Sequence, residues 1–248
     1  MSATVTAALL VIGDEILSGR TKDKNIGYIA EYLTGSGIDL REVRVVPDVE
    51  AEIISAINAL RTRYTYLFTT GGIGPTHDDI TADCVAKAFG VSIAIDERAR
   101  AMMLERYKPE ELNEARLRMA RIPAGASLIE NPISRAPGFM LENVIVMAGV
   151  PNIMQAMLDN VAPLLKTGAR VLARSVDASG LGEGIYAGPL GELATAFPEV
   201  SIGSYPAFHS GGFRNQIVLR GRDEATLDAA EKAVREMIAR LSSDKTPL

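Results

Sequence analysis

Apolar and polar positions along the first two-thirds of the chain follow each other in a strand–helix–strand rhythm. Residues 5–12 form a short apolar run ended by Gly13, which predicts a buried strand. Over residues 24–34, Ile26, Ile29, Ala30 and Leu33 recur at helical spacing, and Gly35 to Gly37 stop the helix. Residues 40–46 read as a second strand broken by Pro47, and Ile53, Ile54, Ile57 and Leu60 mark one face of a second helix. A third strand, residues 64–69, runs into a glycine-rich loop. Beyond it the pattern predicts helices over 81–89, 96–106 and 110–121, a buried strand over 144–147 and a helix over 152–165. This alternation with short connections predicts right-handed βαβ units and a mainly parallel sheet, helices on both faces: a three-layer α/β/α domain.

The rhythm changes near residue 169. A strand (170–176), a helix (184–196), two strands (200–205 and 213–219) and a long helix (225–241) give the order β-α-β-β-α. That order places a boundary at 168, with one domain over 1–168 and a small α/β domain over 169–248. The tail from residue 242 is expected to fray.

Composition narrows the classes of function. A formal charge of −5 leaves no basic footprint, so nucleic-acid binding is not expected. Cys84 is the only cysteine, which excludes an internal disulfide and a cysteine-rich zinc site, and it reads as a small buried thiol. The start of the chain lacks a basic segment, and its apolar run is too short for a signal or a membrane span. A cytoplasmic protein with no membrane partner is the expectation.

The chemistry concentrates in the loop Thr69-Thr70-Gly71-Gly72-Ile73-Gly74-Pro75-Thr76-His77-Asp78-Asp79. Three glycines between a strand and a helix can turn backbone N–H groups toward one anion, and the following helix adds the positive end of its dipole. The loop is neither a Walker A motif nor a Gly-x-Gly-x-x-Gly fingerprint; a tight turn with no ligand is the plain alternative. In a doubly wound sheet the ends of neighbouring strands meet at the binding crevice, which would gather Gly13-Asp14-Glu15, Pro47-Asp48 and Asp78-Asp79. Carboxylates beside a phosphate need a cation between them, so Mg²⁺ or a similar ion held by Asp14, Asp48 and Asp79 is expected. Against this, Asp79 or Thr81 could cap the next helix, and Asp48 could be a turn residue. His77 is a candidate acid/base or phosphate donor, or a solvated loop residue. His209 reads as part of a hairpin turn. Arg20, Lys22, Lys24 and Arg135 could reach a terminal phosphate, although solvation is the default for each. Ser18 and Ser134 have no histidine partner at a recognisable spacing.

With these residues in view, the chain resembles the molybdopterin-binding (MoaB/Mog-like) domain family, on the side of the N-terminal part of competence/damage-inducible protein A (CinA). The resemblance rests on Gly13 to Gly19, Asn25, Pro47-Asp48, the loop from Thr69 to Thr81, Asn131-Pro132, Ala136 to Phe139 and Gly149-Val150-Pro151. Residues 170–241 look like the KH-like unit that follows in that branch, although no Gly-x-x-Gly loop supports RNA binding through it. The resemblance implies that Thr70, Gly71, Gly72, Gly74, Thr76, Thr81 and Asn25 bind a phosphorylated ligand, molybdopterin or a nucleotide, and that Asp48 and Asp79 are functional. It also implies self-association, and a pyrophosphatase activity on ADP-ribose-like or flavin nucleotides. Ile73 stands where the cofactor-biosynthesis branch has Thr, Ala148 where Pro is usual, and Ile153 where the CinA branch often has Glu. The deamidase domain of full-length CinA proteins is not expected here. Three readings stay open: a metal-assisted phosphoanhydride hydrolase, a non-catalytic molybdopterin-binding module and an oligomeric scaffold.

Overall fold

A computed structural model describes residues 4–209 and 212–243. The chain divides between Gly168 and Ala169 into two compact units.

The first unit opens with β1 (Val5–Ile12), a one-turn helix α1 (Asp14–Leu17), α2 (Asn25–Gly35), β2 (Ile38–Val46), α3 (Glu50–Arg61), β3 (Tyr66–Thr70) and α4 (Thr81–Phe89). It continues through β4 (Ile93–Ile95), α5 (Glu97–Leu104), α6 (Glu114–Leu117), β5 (Arg121–Pro123), β6 (Ser127–Ile129), β7 (Gly138–Leu141), β8 (Val144–Met147) and α7 (Pro151–Val161). Six strands form one sheet in the order β2-β1-β3-β8-β7-β6. The first four are parallel; β7 and β6 run antiparallel at one edge.

Alternation along the strands explains the layers, because successive side chains point to opposite faces. Leu10, Ile12, Leu67, Val144 and Val146 meet Ile53, Ile57 and Leu60 of α3 and Cys84 and Val85 of α4. Leu9, Val11, Phe68, Ile145 and Met147 meet Ile29 and Leu33 of α2 and Met154, Met157 and Leu158 of α7. The three-layer α/β/α domain expected from the sequence is the one observed. Asp23 helps set the start of α2, accepting hydrogen bonds from the amides of Asn25 (3.0 Å) and Ile26 (2.7 Å). Gly90 ends α4 in the left-handed region, φ +67°.

Two expectations fail in detail. No single helix covers 110–121: Pro109 opens a 3₁₀ turn, Asn113 then caps the one-turn α6 through the amide of Arg116 (3.0 Å), and a second 3₁₀ turn leads into β5. The helix expected to 165 stops at Val161, where Pro163 sits in a 3₁₀ turn.

The second unit consists of β9 (Leu172–Asp177), α8 (Glu183–Ala196), β10 (Ser201–His209), β11 (Gly212–Gly221) and α9 (Glu224–Ser243). Its antiparallel sheet has the order β10-β11-β9, over a core that includes Val176, Tyr186, Ile217, Leu219, Leu227 and Val234. The predicted β-α-β-β-α order holds. Residues 210 and 211 of the hairpin turn expected around His209, and residues 244–248 of the expected frayed tail, lie outside the described residues. Among the described residues no helix is long and apolar enough to cross a membrane.

Candidate functional site

In the first unit β1 and β3 are neighbours, with β2 beyond one and β8 beyond the other, so the sheet order reverses between them. At such a switch point the carboxyl ends of parallel strands open a crevice. Gly13 follows β1 there, and Gly71 follows β3. A Cβ on Gly71 would lie 2.1 Å from the Ile12 carbonyl oxygen, so only glycine lets the two strand ends approach this closely. Gly71 and Gly72 take φ of +99° and +68°.

The loop is held by its own polar groups. The Gly71 amide donates to the Met147 carbonyl at 3.3 Å, extending the β3–β8 ladder. It is therefore engaged, contrary to the expectation that all three glycine amides face a ligand. The amides of Gly72, Ile73 and Gly74 donate to no protein acceptor among the described residues. Thr81, fully buried, donates its amide to the Gly72 carbonyl and its hydroxyl to the Gly71 carbonyl, each at 3.0 Å, which makes it a brace under the loop. Asp79 Oδ2 accepts from the Thr76 amide (2.8 Å) and hydroxyl (2.5 Å), so these two residues close the loop on itself. A Cβ on Gly74 would fall 2.6 Å from that Asp79 oxygen. Neither Asp79 nor Thr81 caps α4, since no side-chain cap bond is made there. Arg118, which no sequence pattern marked, donates to the Asp79 carbonyl at 3.2 Å from 39 residues downstream.

The acids assemble differently from the expected metal set. Asp48 accepts the Asp14 amide at 3.0 Å, tying the end of β2 to the end of β1. Burial raises the Asp48 pKa above the ordinary carboxylate value, the Asp14 amide opposes this, and the charges of Asp14, Glu15 and Asp78 raise it further. Asp78 adds its charge to that set while its own carboxyl is held below the ordinary value, first by the Thr76 side chain, and the Asp79 carboxylate accepts from Thr76 as well. Among the described residues no three His, Cys, Asp or Glu side chains are arranged to hold a metal ion by themselves. His77 is exposed beside the Asp78 carboxylate.

On the α2 side, a cavity of about 220 Å³ opens between Val11, Glu15, Lys22, Lys24, Asn25, Thr70, Gly71 and Gly149. Asn25 donates to the Gly149 carbonyl at 2.8 Å. Its Oδ1 and the Thr70 Oγ1 are buried with no hydrogen-bond partner, a cost of about 1–3 kcal/mol each unless a ligand or water satisfies them. On the other side, a recess of about 20 Å³ lies against Gly72, Gly74, Asp79, Arg118 and Arg121. Arg121 is committed there to Asp83 through bonds of 2.9 and 2.6 Å.

Two of the remaining candidates have structural partners. Ser134 takes part in a turn with Asn131 and Ala136, and Arg135 pairs with Glu105 at 3.2 Å. The backbone of His209 ends β10.

A glycine loop with free amides at a switch point, flanked by strand-end acids and a polar cavity, defines an α/β domain of the ligand-binding kind. The chain belongs to the molybdopterin-binding domain family: residues 8–167 match the model described as "Probable molybdopterin binding domain". Residues 170–245 match the middle domain of FAD synthase. The chain is 35% identical to a protein of Pyrobaculum calidifontis over 211 residues, 81% of this chain and 80% of that one. It is 29% identical to a protein of Archaeoglobus fulgidus over 230 residues, 93% and 96% of the two chains. The crystal structure of CinA from Thermoplasma acidophilum is similar, with a TM-score of 0.61 at 36% identity, covering 65% of this chain and 98% of that one.

Proposed function

We propose that the first unit binds a phosphorylated pterin- or nucleotide-like ligand and cleaves a phosphoanhydride within it. One observation carries the reading: the amides of Gly72, Ile73 and Gly74 are unengaged, and just before them in the chain Thr70 and Gly71 line a cavity in which the buried oxygens of Thr70 and Asn25 lack partners. The amides would hold a phosphate, and the orphan oxygens a polar group beyond it. Thr81, Thr76 and Asp79 keep the loop in shape, and His77 at most assists.

The Asp14 amide on Asp48 brings the ends of β1 and β2 together, and a divalent cation shared with phosphate oxygens would sit there, since Mg²⁺ is ordinarily bound by one or two carboxylates plus substrate rather than by a protein cage. Asp48 and Asp14 are the residues to hold it; when bound it would neutralise charge building on the phosphoryl group. Asp48 also orients the attacking water. In the reaction, a water oxygen bonds to phosphorus, the bridging P–O bond breaks with its electrons going to the leaving phosphate, and two phosphate monoester dianions and two protons are released.

The test is a thermal-shift and hydrolysis panel with molybdopterin, ADP-ribose and FAD, each with and without Mg²⁺. At one hundred times its Kd, a ligand stabilises by about 2.7 kcal/mol, or roughly 5–11 °C for a unit of this size. Asp48→Asn should keep binding and lose cleavage. Binding of the pterin with no cleavage under any metal would favour a non-catalytic molybdopterin-binding module, and a blank panel would remove both readings.

A further inference from the structure

The glycine loop has two sides, and its free amides lie on the smaller one. Gly72, Ile73 and Gly74 line the recess of about 20 Å³ against α4, not the larger cavity beside Gly71. Ala82 and Asp83, in the first turn of α4, line the same recess. Their amides, like those of Gly72 to Gly74, donate to no protein acceptor among the described residues. A row of N–H donors therefore borders one small space, with the positive end of a helix dipole behind part of it.

Arg118 adds a further donor. It sits in the 3₁₀ turn before β5, and one terminal nitrogen holds the Asp79 carbonyl at 3.2 Å. Its Nε–H is buried and has no partner. A guanidinium N–H can only donate, so an acceptor is needed to satisfy it. The two acids of the lining are occupied elsewhere. Both oxygens of Asp83 are taken by Arg121, and Asp79 Oδ2 accepts from Thr76. Asp79, Asp83, Arg118 and Arg121 cancel in formal charge, so the recess offers directed donors, not net charge. Its size suits a single oxygen atom, since one water needs about 10–15 Å³.

We propose that this recess is an oxyanion pocket, in which Arg118 Nε and the amides of Gly72 to Gly74 hold one non-bridging oxygen of the bound phosphate. Charge that builds on that oxygen as the anhydride opens meets donors already in place. The proposal rests on the phosphate-binding reading of the loop given above, and adds to it a cationic residue and the side on which the oxygen lies.

The experiment is titration of the ¹⁵N-labelled full chain with inorganic phosphate, followed by NMR. The Arg118 Nε–H signal, assigned by its loss in Arg118→Lys, should move downfield and saturate together with the Gly72 amide. A purely structural Arg118 would not show that shift. Arg118→Met should weaken phosphate about tenfold, as loss of one charge-assisted hydrogen bond does, with the thiol of Cys84 still protected from labelling. A Gly72 amide that moves while Arg118 Nε–H stays in place overturns the pocket alone, and so does unchanged phosphate affinity in Arg118→Met. If the Gly72 amide does not respond at any phosphate concentration, the loop reading fails, and the pocket with it.

Discussion

Gly71, Gly72 and Gly90 all have positive φ, +99°, +68° and +67°, but an added methyl meets something different at each. At Gly90 it meets nothing within 4 Å, so Gly90→Ala reports left-handed strain alone, about 1 kcal/mol. At Gly72 the backbone is the same, yet the methyl lands 2.2 Å from Thr81 Oγ1, which must swing away and give up its 3.0 Å bond to the Gly71 carbonyl. That adds about 1 kcal/mol, for a total near 2 kcal/mol. At Gly71 the obstacle is the Ile12 carbonyl at 2.1 Å, part of a buried strand that has no rotamer to change. We expect about 3 kcal/mol or more there. Cys84 provides the assay, since it is the only cysteine, is fully buried and sits in α4 of the same unit. Its rate of labelling by a thiol reagent reads the opening free energy of that unit without interference from the second. Equal costs for Gly72→Ala and Gly90→Ala would refute the reasoning. So would a Gly72→Ala cost that stays the same in a Thr81→Ala background, where the hydroxyl is gone.

Other outcomes follow from single groups. Thr69 Oγ1 and Thr70 Oγ1 are both buried without partners, but only Thr70 lines the cavity. Thr69→Val and Thr70→Val should each stabilise the free protein by about 1 kcal/mol, and only Thr70→Val should weaken ligand binding in titration. Burial pushes the Cys84 thiol up to about 12, so its neutral form is favoured in the native state. The associated stability is complete below the unfolded thiol's value near 9 and is lost as pH rises toward 12, by about 1.4 kcal/mol per pH unit. Denaturation of wild type against Cys84→Ala across that range should show the difference, and parallel curves would contradict it. Asp79→Ala removes the acceptor that closes the loop on Thr76; it should cost about 1–3 kcal/mol by the same labelling assay and lower phosphate affinity, with Asp79→Asn milder in both.

Long, strongly patterned elements were legible in the sequence. The runs 5–12 and 144–147 and the helix 81–89 lie where the pattern put them, because the two strands are buried on both faces of the sheet and the helix buries one face against it. The three-residue strands β4, β5 and β6 carry too few positions to show a period, and they exist because they pair with distant partners. The segment 110–121 has helix-forming residues, but Pro109 and Asn113 offer the backbone local alternatives. At the site, the sequence located the loop and its acids but not their division of labour. Spacing cannot tell that Asp48 ties to the Asp14 amide while Asp79 turns back to Thr76, nor that the Gly71 amide belongs to the ladder. Those outcomes depend on where four strand ends meet in space.

The two borders of the six-stranded sheet bear on how copies of this domain could associate. One border is β2, where Arg41 pairs with Asp39 and Arg44 with Glu42; the other is β6, only three residues long. Alternating charge and brevity are the features that discourage one chain from adding its strand to another. Neither border of the sheet therefore offers a long, uncharged strand for such pairing.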